Sequence, residues 1–171
     1  MRDNKILKLT ISAMFASLVC VATMIIQIPT ITKGYINIGD AIVLLSGWLL
    51  GPVWGALSSA VGSCMADIFA GYPVYAIATF FIKGIVSLIA YLIYRNKNFL
   101  LAVISSVVAE LFMAISYFLF ECLILGQGIA AIAGLIPNFT QGAVCAILGL
   151  FILKLFKSND KLIEIFSVFK K

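Results

Sequence analysis

An all-α integral membrane bundle of six helices, with both termini cytoplasmic, is the fold the sequence predicts, and three observations carry it. Of the 171 residues, 63% are hydrophobic and only 11% charged, against roughly 25% charged residues in soluble domains. Apolar runs close to the length a helix needs to cross the hydrocarbon core, about 20 residues, recur along the whole chain. Lysine and arginine are concentrated in the segments between and beyond those runs. The chain has room for little besides these spans, so residues 1–171 are read as a single transmembrane domain.

The spans fall at about 6–28, 40–50, 53–70, 74–94, 99–125 and 137–156, with a tail at 157–171. The first follows "MRDNKILK", the opening of a secretory signal. Its apolar run is too long for a signal core and lacks a small-x-small exit, so it is expected to be retained. The second is short, and "GWLLGPVWG" supplies a tight connection at Gly51 and Pro52, because proline disfavours helical geometry just before it and suits a helix's first turn. Ahead of the last span an interfacial piece is expected through about Leu135, with the spanning helix starting near Pro137. In the tail, "SNDKLIEIFSVFKK" alternates charged and apolar residues at helical spacing, the pattern of a short amphipathic helix at the membrane surface.

Charge placement sets the orientation. Arg2, Lys5 and Lys8, then Arg95 and Lys97, then Lys154, Lys157 and Lys161 fall on one side of a six-span chain, which the positive-inside rule makes cytoplasmic. The opposite side carries "PTITKGYINIG", "GYPVY" and "GQG", with Lys33 as the sole cation. Although the net charge is +5, these cations mark topology rather than a nucleic-acid face. Cys20, Cys64, Cys122 and Cys145 lie within apolar runs without CxxC spacing, and the chain has no histidine. They are read as core-filling side chains, not disulfides or metal ligands.

Small residues recur at Gly51, Gly55, Ser59, Gly62 and Ala66, making one smooth helix face for close packing in lipid. Ser12, Ala13, Ala16 and Ser17 form a similar patch that suits either an internal neighbour or a partner subunit. Ionisable groups at membrane depth are costly and usually face a cavity or a partner. Five occur: Asp40, Asp67, Lys83, Glu110 and Glu121. Asp40 fits both a helix N-cap and a ligand contact. Asp67 and Lys83, on antiparallel neighbours, can pair if their depths match, and Glu121 is placed nearer the rim. Tyr35, Asn37, Tyr72, Tyr75, Thr79, Tyr117, Asn138, Thr140 and Gln141 gather in the same half of the bundle. Tyr72 and Tyr75 fit an interfacial belt equally well, but amides do not belong to one. Asn138 and Gln141, three apart, share a helix face. Together with Asp40, Asp67, Glu110 and Tyr117 they suggest a pocket of aromatic walls with a few fixed hydrogen-bonding groups. There is no GxxxxGK[ST] nucleotide cradle and no Ser/His or Cys/His pair, so neither ATP hydrolysis nor other catalysis is expected.

The stretch 34–84, "GYINIGDAIVLLSGWLLGPVWGALSSAVGSCMADIFAGYPVYAIATFFIKG", together with "IPNFTQG" at 136–142, resembles the substrate-binding S components of energy-coupling factor (ECF) vitamin transporters. The likeness is greatest to those handling pyridoxine-type or hydroxymethylpyrimidine-type compounds. It implies a non-enzymatic subunit of a bacterial cell membrane that captures a vitamin under a cap formed by the loop between its first two helices. It also implies work with a membrane coupling subunit and two cytoplasmic ATPases that use ATP, the chain itself holding no cofactor or metal. Ser12, Ala13, Ala16 and Ser17, spaced SxxxA and AxxxS, sit where the family docks on the coupling subunit. The substrate contacts expected are Tyr35, Asn37, Asp40, Asp67, Tyr75, Lys83, Glu110, Tyr117, Asn138 and Gln141. Riboflavin is an alternative ligand. A structural membrane protein, or a secondary transporter using Asp67, Lys83 and Glu110 as an ion relay, are the readings from other classes.

Overall fold

The computed structural model describes residues 2–30, 34–96 and 98–170, so the expectations at Lys33 and Lys97 lie outside it. Helix α1 (Arg2–Ile25) leads into two short antiparallel strands, β1 (Ile28–Pro29) and β2 (Tyr35–Ile36), paired Ile28 with Ile36 and Pro29 with Tyr35. There follow α2 (Asp40–Phe69), α3 (Pro73–Ile93), α4 (Phe99–Leu119), α5 (Leu135–Lys157) and the short α6 (Asp160–Phe166). A π-helical turn, Phe120–Ile124, extends α4, and a 3-10 segment, Gly128–Gly134, leads into α5.

The nominally continuous α2 is two helices folded back on each other. Gly51 has φ 82° and ψ −171°, a backbone region open to glycine and strained for any other residue. Pro52 then starts the second arm, where its missing N–H costs nothing. A methyl group on Gly55 would lie 2.5 Å from the Ser46 carbonyl oxygen and 3.1 Å from the Gly47 Cα. Positions four before and four after Gly51 are therefore face to face, as in an antiparallel hairpin. A straight helix would separate Asp40 from Asp67 by about 40 Å at 1.5 Å per residue, yet Lys83 and Gln141, which bond Asp40, share one cavity with Asp67.

The expected tight connection at Gly51 and Pro52 is thus present. The expected second span is not a full one: arm 40–50 is about 16 Å long, about half the hydrocarbon thickness. Among the described residues five helical stretches are long and apolar enough to cross a membrane when 40–69 is counted as one. The last begins slightly ahead of the expected start, α5 taking up Leu135 and Ile136 before Pro137.

The molecule is apolar outside and partly polar within. Ile25, Ile77, Ile136 and Ile147 are each 69% exposed or more, whereas Asp40, Ser46, Ser59, Ser87, Ser105 and Ser106 are fully buried. Hydrocarbon gives apolar side chains no reason to be buried, so helices associate through close packing at small residues and interhelical hydrogen bonds. Trp48 donates its indole N–H to the Ser105 hydroxyl at 2.9 Å, tying the short arm to α4. The Ser58 hydroxyl donates to the Ser12 carbonyl at 2.9 Å, and Gly62 packs on the Ala16 carbonyl, joining the long arm to α1. At one end of the bundle Lys157 lies over the Tyr94 ring and Lys8 over Phe169, with Arg95 nearby. This is the basic end. The polar side chains described next gather away from it, toward the other end.

Candidate ligand-binding site

Four backbone choices bring the polar groups together. The short arm begins halfway through the bundle, which recesses its first residue, Asp40, to mid-depth. On α3, Tyr75, Thr79 and Lys83 recur every four residues and share one face. On α4 and its continuation, Tyr117 and Glu121 stand four residues apart on one face and both line the cavity. The β1–β2 hairpin folds Tyr35 and Asn37 over the opening.

Lys83 forms the floor. Its ammonium meets Asp40 Oδ1 at 2.5 Å, both side chains being almost wholly buried. The amide of Gln141 donates to Asp40 Oδ2 at 2.5 Å and accepts from the Asn37 backbone N–H at 2.8 Å. The Asn37 side chain in turn accepts from Gly39 N at 2.9 Å. Lys83 also lies 5.3 Å from the centroid of the Tyr117 ring, within cation–π range. Above this floor Tyr35 donates its hydroxyl to Asp67 Oδ1 at 2.6 Å and stacks obliquely on Tyr72 with centroids 4.7 Å apart. Burial, and then the Asp67 carboxylate, push the Tyr35 pKa well above the usual tyrosine value, so the hydroxyl remains a donor. Thr79 and Tyr117 share a hydrogen bond of 2.9 Å, and Tyr75 donates to Glu121 at 3.2 Å.

Of the ten expected substrate contacts, Tyr35, Asn37, Asp67, Tyr75, Lys83, Tyr117, Asn138 and Gln141 line one cavity, and Asp40 lies directly beneath it, bonded to Lys83 and Gln141. Glu110 is not among the lining residues. It faces a separate apolar groove between α4 and α5, packed on Gly142, and neither carboxyl oxygen has a hydrogen-bond partner.

Three expectations are corrected. Lys83 pairs with Asp40, not Asp67. Asp40 is the first residue of α2 rather than its cap, which is Gly39, and its carboxylate is used by Lys83 and Gln141. Glu121 is buried at 3% exposure rather than at a rim. Sequence reasoning gave Thr30 and Gly34 no place in the site, although both line the cavity. Only their position in the loop between the first two helices hinted at it. On α1 the small-residue patch divides: Ser12 and Ala16 face α2, while Ala13 and Ser17 are exposed on the opposite side.

The cavity measures about 40 Å³. At 10–15 Å³ per water centre that is room for about three water molecules. A ring compound can enter only if the Tyr35 loop moves.

Fold and surface define a multi-pass helical membrane protein with a polar chamber enclosed among its helices. Comparison with known proteins makes this specific. The family of the ECF-type riboflavin transporter S component matches residues 3–158, and the chain belongs to that family, one of transporter subunits and not of enzymes. Its fold is shared with a solved chain described as the S component of a bacterial ECF transporter, with a TM-score of 0.73 and 24% identity over 88% of this chain and 95% of that one. A Pyrococcus woesei protein, described as an uncharacterised protein in the gap 3′ region, is 31% identical over 136 residues, covering 78% of this chain and 88% of the relative.

Proposed function

We propose that the chain captures a small heteroaromatic vitamin or vitamin precursor in the chamber beneath Tyr35, and that it does so for an ATP-driven uptake transporter. The observation that carries this is the convergence of Lys83, Asp40, Gln141 and Asn37 from three helices and a loop beneath aromatic walls. Fixed donors and acceptors at such a floor discriminate ring nitrogens and hydroxyls, because a poorly matched ligand leaves buried polar groups unpaired. A single-ring compound of the pyridoxine or hydroxymethylpyrimidine type requires the smaller opening of the 40 Å³ chamber. Riboflavin is the second reading, favoured by the name of the family, and it requires a larger displacement of the β1–β2 loop.

In this proposal the basic end, holding both termini, faces the cytoplasm and the chamber opens outward, the protein residing in a bacterial cell membrane. A membrane coupling subunit docks on the small-residue patch of α1, where Ala13 and Ser17 offer the exposed half. Two cytoplasmic ATPases supply the energy, since this chain carries no P-loop. The test is mass spectrometry of small molecules released from the purified, denatured protein, followed by titration with the compound found. A pyridine or pyrimidine supports the first reading and riboflavin the second. The absence of any ligand, with no saturable binding of the three candidates, overturns both.

A further inference from the structure

A second cavity lies at the basic end, remote from the polar chamber, and measures about 580 Å³. Its walls are Trp48 at the base of the short arm, Tyr91 of α3, Leu153 and Phe156 of α5, and Phe166 and Phe169 of the tail. The tail is held over it by ring contacts: Phe166 meets Phe15 edge-on at 5.9 Å and Phe156 at 5.7 Å. Two cations, Arg95 and Lys157, also border it, Lys157 lying over the Tyr94 ring at 5.2 Å from its centroid. Part of the space exists because the short arm stops at Gly51, which itself borders the cavity.

We propose that this cavity is a lipid site, holding an acyl chain of an anionic phospholipid with its phosphate on Arg95 and Lys157. A cavity this large with apolar walls is poorly served by water, which needs polar partners to stay. It lies where the bundle's basic residues collect, at the level where phospholipid headgroups meet acyl chains, so the amphiphile at hand is lipid. The cation pair selects its charge: basic pockets between transmembrane helices recruit anionic headgroups. The amphipathic tail, with Leu162 and Phe166 inward and Asp160, Lys161 and Glu164 exposed, roofs the chain end while leaving the headgroup in water.

Trp48 reports on the site directly. It is 5% exposed, lines the cavity, and is one of only two tryptophans. A Trp54→Phe variant leaves it as the sole emitter. This protein is reconstituted in phosphatidylcholine bilayers doped, at equal mole fraction, with phosphatidylglycerol or phosphatidylcholine carrying brominated acyl chains, which quench tryptophan on contact. The expected result is severalfold stronger quenching by brominated phosphatidylglycerol, with the difference abolished in the Arg95→Gln, Lys157→Gln double variant. Equal quenching by the two lipids in the parent, a comparison that needs no change at the cations, overturns the proposal. So does a preference that survives in the double variant with an unaltered unfolding midpoint. Trp48 that is unquenched by either lipid but shifts its emission on adding the coupling subunit also overturns it, and assigns the cavity to a protein partner.

Discussion

Replacing Lys83 by Met tests the floor of the polar chamber most severely. Asp40 is fully buried, and its carboxylate is held by Lys83 at 2.5 Å and by Gln141 at 2.5 Å. Removing the ammonium leaves a charge in the bundle interior with one neutral donor, and breaking a buried pair in this way costs about 3–5 kcal/mol. For a chain of this size, 1 kcal/mol moves the unfolding midpoint by about 2–4 °C, so a fall of about 6–20 °C is expected. Asp40→Leu alone strands the ammonium and costs a similar amount. Combining the two changes removes both charges and leaves chiefly the Gln141 amide unpaired, at about 1–3 kcal/mol. The double variant should therefore be more stable than either single one. Thermal unfolding of ligand-free protein in detergent micelles, followed by tryptophan emission, measures all four corners of the cycle. Single variants within about 1 kcal/mol of the parent, or a double variant whose loss equals the sum of the singles, would refute the buried-pair geometry.

Other positions give sharper yes-or-no outcomes. Glu110→Leu removes a buried carboxyl that has no hydrogen-bond partner and lies outside the chamber, so the unfolding midpoint should rise and affinity for the identified ligand stay within about twofold; a lowered midpoint would show that Glu110 helps to balance the charge of Lys83, which lies within its electrostatic reach. Gly51→Ala forces a side chain into the φ 82° turn and should cost about 1–3 kcal/mol in the same assay, whereas a neutral effect would mean the hairpin turns elsewhere. Asn138→Ala, at the chamber wall, should weaken ligand binding about tenfold by isothermal titration without a change in folded yield; unchanged affinity would remove Asn138 from the site. Tyr35→Phe deprives Asp67 of its 2.6 Å donor and loosens the cap, so ligand association in stopped-flow fluorescence should speed up; an unaltered rate would show that the cap is not the entry barrier.

The helical architecture was legible because its signals are local. Apolar run lengths gave the rods, and the Gly51–Pro52 pair gave the reversal. Depth was not legible. Asp67 and Lys83 looked like partners because their helices are antiparallel neighbours, but pairing depends on how far each residue sits along the bundle axis. Lys83 is about 15 Å down α3 from Pro73, and the half-length arm brings Asp40, not Asp67, to that level. Glu121 was misjudged for a related reason: its spacing of four from Tyr117 fixes its face but not its cover, and the Tyr75 hydroxyl from α3 closes over it at 3.2 Å. Glu110 shares an apolar run with Tyr117 and looked equivalent to it. Which face meets the chamber is settled by the packing of Gly142 against Glu110, a contact between residues far apart in the chain.

The short arm of α2 explains both cavities at once. Ending at Gly51 near the basic end and beginning at Asp40 in mid-bundle, it leaves the upper half of its own column empty. Strand β2 and the turn after it enter that space with Tyr35 and Asn37, so the polar floor lies deep while its roof is not a helix. A loop can be displaced without unpacking helices, whereas a full-length second span would have sealed the same position with rigid backbone. Around Gly51 the same turn presents bare backbone to the aromatic cavity, where a methyl group would lie 3.9 Å from the Tyr91 ring and from the Phe169 carbonyl oxygen. Lengthening the arm enough to fill its column would close the ligand's route, and lengthening it past Gly51 would fill the second cavity; one glycine-proline turn at this depth keeps both open.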